Sequence, residues 1–147
     1  MTKMKVLVAY DGTLQSREAL RFGLQKVQQE GGEVVALHVF HSGMFIDYDA
    51  HPDAVEKARR EALTYVEEAR QIASDFGSGI RVRVLTEEGV PADEIVSFAL
   101  VEDVDMLICP PGLKSVVRKI RKTVAGRGSD LVSGRLRGAD PAVMVLH

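Results

Sequence analysis

The chain has 147 residues, 46% of them hydrophobic and 27% charged, a size that suits one domain closing its own core, here residues 1–147. Aromatic residues make up 5% and Trp is absent, so that core is aliphatic; a single cysteine, Cys109, excludes a disulfide framework or a cysteine-rich zinc site. Net charge is −2, yet residues 114–137 carry eight basic side chains against one acid, Asp130, which leaves the rest of the chain at −9. A basic stretch on an otherwise acidic chain points to an anionic partner. The longest apolar runs, such as 34–37 and 106–109, are too short to cross a bilayer. The first residues pass straight into a strand-and-turn pattern with no signal-peptide layout, so the expected compartment is the cytoplasm.

In chain order, residues 4–9 (MKVLVA) read as a buried strand ended by the turn signal Tyr10-Asp11-Gly12. From Ser16 to Glu30, Ala19, Leu20, Gly23, Leu24 and Val27 recur at helical spacing; Ser16 is the expected N-cap and Gly31-Gly32 the stop. Residues 33–40 (EVVALHVF) are nearly continuous in apolar character, as a strand covered on both faces is. After an aperiodic stretch, 41–51, Pro52-Asp53 opens a long helix to about Phe76, with Val55, Ala58, Ala62, Val66, Ala69, Ala73 and Phe76 as its inner stripe. Residues 80–86 (IRVRVLT) alternate, marking a strand near the sheet edge, and 87–90 turn the chain. A helix begins at Pro91, a buried strand spans 105–109, and after the basic segment a short helix (129–136) and a last strand (142–146) follow.

Strands alternating with helices predict a parallel α/β sheet with helices on both faces. In such sheets a ligand sits beyond the carboxyl ends of the strands, where strand order reverses. The loops there are 10–13, 40–51, 87–91 and 110–128.

Several residue groups have chemistry to offer, each beside an ordinary structural reading. Gly126-Arg127-Gly128-Ser129 allows close backbone approach and an N-cap whose free amides attract an anion; it also reads as a flexible turn plus cap. Within 114–124, Val116, Ile120 and Val124 fit an amphipathic helix, while Lys114, Arg118 and Arg127 are candidates for phosphate contact. No aromatic residue interleaves these positives, which argues against nucleic acid. Asp11, at the tip of the first strand, is placed to accept a hydrogen bond from a ligand or to stabilise its own turn. His38, His41 and His51 with Asp47, Asp49 and Asp53 match no tight ligand spacing, so no structural metal is expected. Cys109, ending an apolar strand, reads as a small hydrophobe.

These residues together resemble the universal stress protein family. The resemblance is carried by VLVAYDGT (6–13), LHV (37–39), GVPADEIVSFALVEDVDMLIC (89–109) and GSDLVSGRLRGADPAVMV (128–145). It implies an open, doubly wound, Rossmann-like sheet of five parallel strands in the order 3-2-1-4-5. It also implies a homodimer through the last strand, here Val143, Met144, Val145 and Leu146.

ATP-holding members carry Gly-x2-Gly-x9-Gly-Ser/Thr after the fourth strand. Here Gly128-Ser129 matches its end, but Pro110 and Leu113 occupy the first two glycine positions, and the loop is about five residues longer. Proline offers no amide, and a side chain in place of glycine blocks close approach. The resemblance places Ala9, Asp11 and Val39 at the adenosine part of a nucleotide, Gly126 and Gly128 at the phosphate loop, and Ser129 on the phosphate side. The resulting expectation is a non-catalytic regulatory or stress-response module with an altered cleft for ATP or another adenine nucleotide. An alternative is a working ATP- or AMP-binding protein in which Lys and Arg side chains replace the loop glycines. A slow ATPase ranks third, because Asp11 is the one general base in view.

Overall fold

In the computed structural model, which describes residues 4–40, 52–77, 79–110 and 142–145, strand and helix alternate as the apolar periodicity predicts. The elements are β1 (Met4–Ala9), α1 (Leu14–Glu30), β2 (Gly32–Phe40), α2 (Pro52–Phe76), β3 (Arg81–Glu88), α3 (Pro91–Val101), β4 (Met106–Cys109) and β5 (Ala142–Val145). The expected helix 129–136, the loop 41–51 and Leu146 lie outside the described residues.

The parallel part of the sheet has four strands, in the order β3-β2-β1-β4, not the five expected. β5 lies beside β4 but runs antiparallel, Met106 opposite Val145 and Cys109 opposite Ala142. A strand of four residues satisfies its ladder in either direction, so AVMV itself carries no signal for the direction it takes.

Alternation along the inner strands divides the core into two layers. On one face Leu7, Ala9, Val35, Leu37, Val39, Leu107 and Cys109 pack against Ala92, Ile95, Val96 and Ala99 of α3. On the other, Val6, Val8, Val34, Ala36 and Ile108 meet Ala19, Leu20, Leu24 and Val27 of α1 and Ala69 of α2. Helices on both faces explain why β1, β2 and β4 read as unbroken apolar runs. Gly23 brings α1 close to β1: a Cβ there would stand 3.1 Å from a Val8 methyl.

Two local expectations shift. Thr13, not Ser16, caps α1: its Oγ1 accepts from the Ser16 amide at 3.1 Å, and the Ser16 hydroxyl donates back to the Thr13 carbonyl at 2.9 Å. β3 runs on to Glu88, because Val39 and Phe40 offer ladder partners to Glu87 and Glu88, and the Gly89 amide then donates to the Phe40 carbonyl at 2.9 Å.

Polar groups close the amino end of the sheet. The Lys5 amide donates to Asp105 Oδ2 at 2.8 Å, and the Asp105 amide donates to the Lys5 carbonyl at 2.9 Å, fixing β1 against the start of β4. Lys5 Nζ reaches Glu102 Oε2 at 3.3 Å and Glu33 Oε1 at 3.7 Å, while Arg83 Nη2 meets Glu33 Oε1 at 3.0 Å. The Lys5 hydrogen bond, with Arg83 beside it, holds the Glu102 carboxyl below its usual range.

Candidate functional site

At the opposite end, β1 delivers Ala9, Tyr10, Asp11 and Gly12 into the turn before α1. Ala9 and Val39 are both buried and belong to the layer facing α3, with Cys109 in the same layer. Asp11 stands two residues past Ala9 and is half-buried. Its Oδ1 accepts hydrogen bonds from the Thr13 amide at 3.1 Å and from the Thr13 hydroxyl. The turn-stabilising reading of Asp11 therefore holds for one oxygen. The other, Oδ2, has no hydrogen bond among the described residues.

The turn is held from α2 by side chains that the sequence did not single out. Gly12 has φ +79°, and a Cβ on it would sit 2.3 Å from a ring carbon of Tyr65. The Tyr65 ring stands edge-on to His38, with centroids 4.7 Å apart. His38 Nδ1 lies 2.8 Å from the Tyr10 carbonyl. A carbonyl only accepts, so Nδ1 carries the proton in this bond, and His38 is a structural donor. One helical turn after Tyr65, Glu68 Oε1 accepts from the Tyr10 hydroxyl at 2.8 Å and from Arg17 Nε at 3.0 Å and Nη2 at 2.9 Å. Burial, then the Glu68 carboxylate, raises the Tyr10 phenol far above its ordinary range, so it stays a neutral donor.

Beyond Val39 lies a second acidic group. Glu87 pairs with Val39 across the β2–β3 ladder, and burial followed by its hydrogen bond with Glu94 raises its carboxyl above the usual range. No signal in the stretch 87–90, read as a turn, pointed to this pairing. Cys109 is fully buried, and that burial pushes its thiol up to about 12, which keeps it protonated near neutral pH. Pro110 is buried directly after β4.

Ala9 and Val39 thus share one buried layer, and Asp11 follows Ala9 by two residues at the carboxyl end of β1. Lys114, Arg118, Gly126, Arg127, Gly128 and Ser129 lie outside the described residues, as do His41, Asp47, Asp49 and His51. Among the described residues no three His, Cys, Asp or Glu side chains are grouped to hold a metal ion. No helix among them is long and apolar enough to cross a membrane.

Comparison with known proteins bears on this arrangement. The sequence profile of the Universal stress protein family matches residues 3–112. The universal stress protein MJ0531 of Methanocaldococcus jannaschii is 27% identical over 107 residues, 71% of this chain and 62% of that protein, so the match spans less than two thirds of the relative. The fold is similar to a universal stress protein from Archaeoglobus fulgidus in complex with dAMP, with TM-score 0.59, 23% identity, and 81% of this chain and 93% of that one covered. It is also similar to the Arabidopsis thaliana universal stress protein family protein At3g01520 with AMP bound, with TM-score 0.60, 20% identity, and 81% and 84% covered. The profile spans well over half of the residues, and on that match the chain belongs to the universal stress protein family.

Proposed function

We propose that this chain is a non-catalytic regulatory module of the stress-response type whose crevice takes the adenosine part of an adenine nucleotide. The observation that carries this reading is Asp11 at the carboxyl end of β1, two residues past buried Ala9, with its Oδ2 free of hydrogen bonds among the described residues. A carboxylate there suits a ribose hydroxyl or an amine, and the apolar Ala9 and Val39 suit the flat face of a base. The AMP and dAMP held by the two structural neighbours lend support.

In this reading the phosphate side differs from the glycine cradle of the family. Pro110 brings no amide donor, so Lys114, Arg118 or Arg127 supplies charge-assisted contacts, with Gly126, Gly128 and Ser129 on the approach. Side chains grip less regularly than a ring of amides, so a short phosphate chain fits the design better than a long one. No residue is assigned a catalytic role. Two copies pair through the outer edge of the last strand, residues 143–146, and the module works in the cytoplasm as a single domain.

Titration calorimetry with AMP, ADP and ATP tests the proposal. Binding that Asp11→Ala weakens at least about tenfold supports it, since a charge-assisted hydrogen bond contributes ~1.5–3 kcal/mol. Absence of heat for all three nucleotides leaves the regulatory module without a nucleotide. Unchanged affinity in Arg118→Ala and Arg127→Ala removes the side-chain phosphate contact.

A further inference from the structure

β3 is an outer strand of the sheet: its ladder runs to β2, and no strand lies on its other side among the described residues. At eight residues it is twice as long as β5 at the opposite edge. Long, unpaired edges are templates for another strand. Charge runs along this edge with a direction, Arg81 and Arg83 at its start and Glu87 and Glu88 at its end. Arg81 is exposed and has no partner among the described residues.

A strand charged in this way is complementary to itself when the copy runs antiparallel. A two-fold axis normal to the sheet keeps each face continuous, so directly opposite residues share a face. With the axis at Val84, Arg81 lies opposite the partner's Glu87, Val82 opposite the partner's Thr86, and Val84 opposite the partner's Val84. Arg83 then sits diagonal to the partner's Glu87, within reach of a long side chain.

The space beside the strand fits a copy as well. A groove of about 450 Å³ follows β3, lined by Arg70 and Ala73 of α2 and by Val82, Arg83, Val84 and Leu85. Val82 and Val84 are only partly buried there, although they pack toward the α1–α2 layer. A second strand would cover both valines and give each of two Glu87 carboxylates a guanidinium. At present burial and Glu94 hold that carboxyl above its usual range, so a cation beside it relieves an unfavourable charge.

We propose that the β3 edge is an interface for a second copy of this chain, paired antiparallel about Val84. The interface stands independently of nucleotide binding and of the β5 edge. If β5 pairs as well, each interface leaves the opposite edge free, and assembly grows in even-numbered steps with concentration.

The test is oxidative cross-linking of Val84→Cys in the full chain, read on a non-reducing gel. Antiparallel neighbours directly opposite stand about 4.5–5.5 Å apart at Cα, which suits a disulfide. Cys109 is fully buried, so the unsubstituted chain is the control. A covalent dimer from Val84→Cys, absent from the control, is the expected result. Adding Glu87→Arg sets like charges opposite each other and should weaken pairing about tenfold. Arg81→Glu together with Glu87→Arg restores opposite charges and should recover the link, which also shows that the strand folds with position 87 altered. No covalent dimer at millimolar protein, or equal linking in the Glu87→Arg single variant and the charge swap, overturns the proposal.

Discussion

The two ends of the sheet treat their polar groups differently. At the amino end Lys5, Glu33, Arg83, Glu102 and Asp105 tie β1, β2, β3 and the residues around the start of β4 together, with Arg83 Nε the buried side-chain atom left without a hydrogen bond among the described residues. At the carboxyl end the bonds hold the backbone of the Asp11-Gly12-Thr13 turn through one carboxylate oxygen, and Asp11 Oδ2 has no hydrogen bond among the described residues. Charge pairing between strands supports the fold, while an acceptor held still by its own turn is what a ligand site requires. Even α2 serves this division: Tyr65 and Glu68, one turn apart on its inner face, position the turn without occupying the acceptor.

Five substitutions would break or sharpen that contrast. Gly12→Ala has the largest expected effect, because it combines a left-handed backbone with a Cβ that clashes with the edge of the Tyr65 ring. Destabilisation of about 2–4 kcal/mol is expected in urea unfolding, with nucleotide binding lost alongside. Next comes Glu68→Ala, which leaves the buried Tyr10 hydroxyl without its acceptor and Arg17 without its carboxylate. About 1–3 kcal/mol is expected, and Tyr10→Phe in the same background should recover part of it, because the orphaned hydroxyl is gone. Asp11→Ala should cost stability only modestly, about 1 kcal/mol for the lost turn hydrogen bonds to Thr13, while abolishing most of the affinity for AMP.

The smallest effects are in pH dependence, and they have opposite signs at the two ends. Glu102 is held below its unfolded pKa by Lys5 and Arg83, so its contribution is present above that unfolded value and is lost as pH falls through the folded one. Lys5→Met should flatten the acid limb of stability against pH. Glu87 is raised by burial and Glu94, so the folded chain binds the proton more tightly there. Stability at that position falls as pH rises through the window between the unfolded and the folded pKa, and Glu87→Gln should remove the fall. Unfolding midpoints measured from pH 3 to 7 check both signs, since those values bracket the ordinary carboxyl range.

How far the sequence revealed this layout follows from the range of the interactions. Residues 4–9 and 33–40 announce their strands because burial on both faces removes polar residues from them. Asp11 was legible too, since a turn signal at the end of an apolar strand fixes its place in a doubly wound sheet. The cap of α1 was misplaced because Thr13 and Ser16 are both hydroxyl residues three apart, and the structure uses both. Tyr65 and Glu68 gave no sign of their role: they meet residues more than fifty positions earlier, through helix packing that no local pattern encodes. The direction of β5 was hidden for a related reason, since it depends on how the chain re-enters the sheet and not on four apolar residues.

Amide chemical-shift mapping during an AMP titration puts the contrast between the two ends to the most direct test. Saturable shifts clustered at Asp11, Gly12, Thr13 and Val39, with Lys5, Glu33 and Asp105 unmoved and the response lost in Asp11→Ala, are the predicted result. Shifts concentrated at the amino end, or a response at the carboxyl end that survives Asp11→Ala undiminished, would contradict the account.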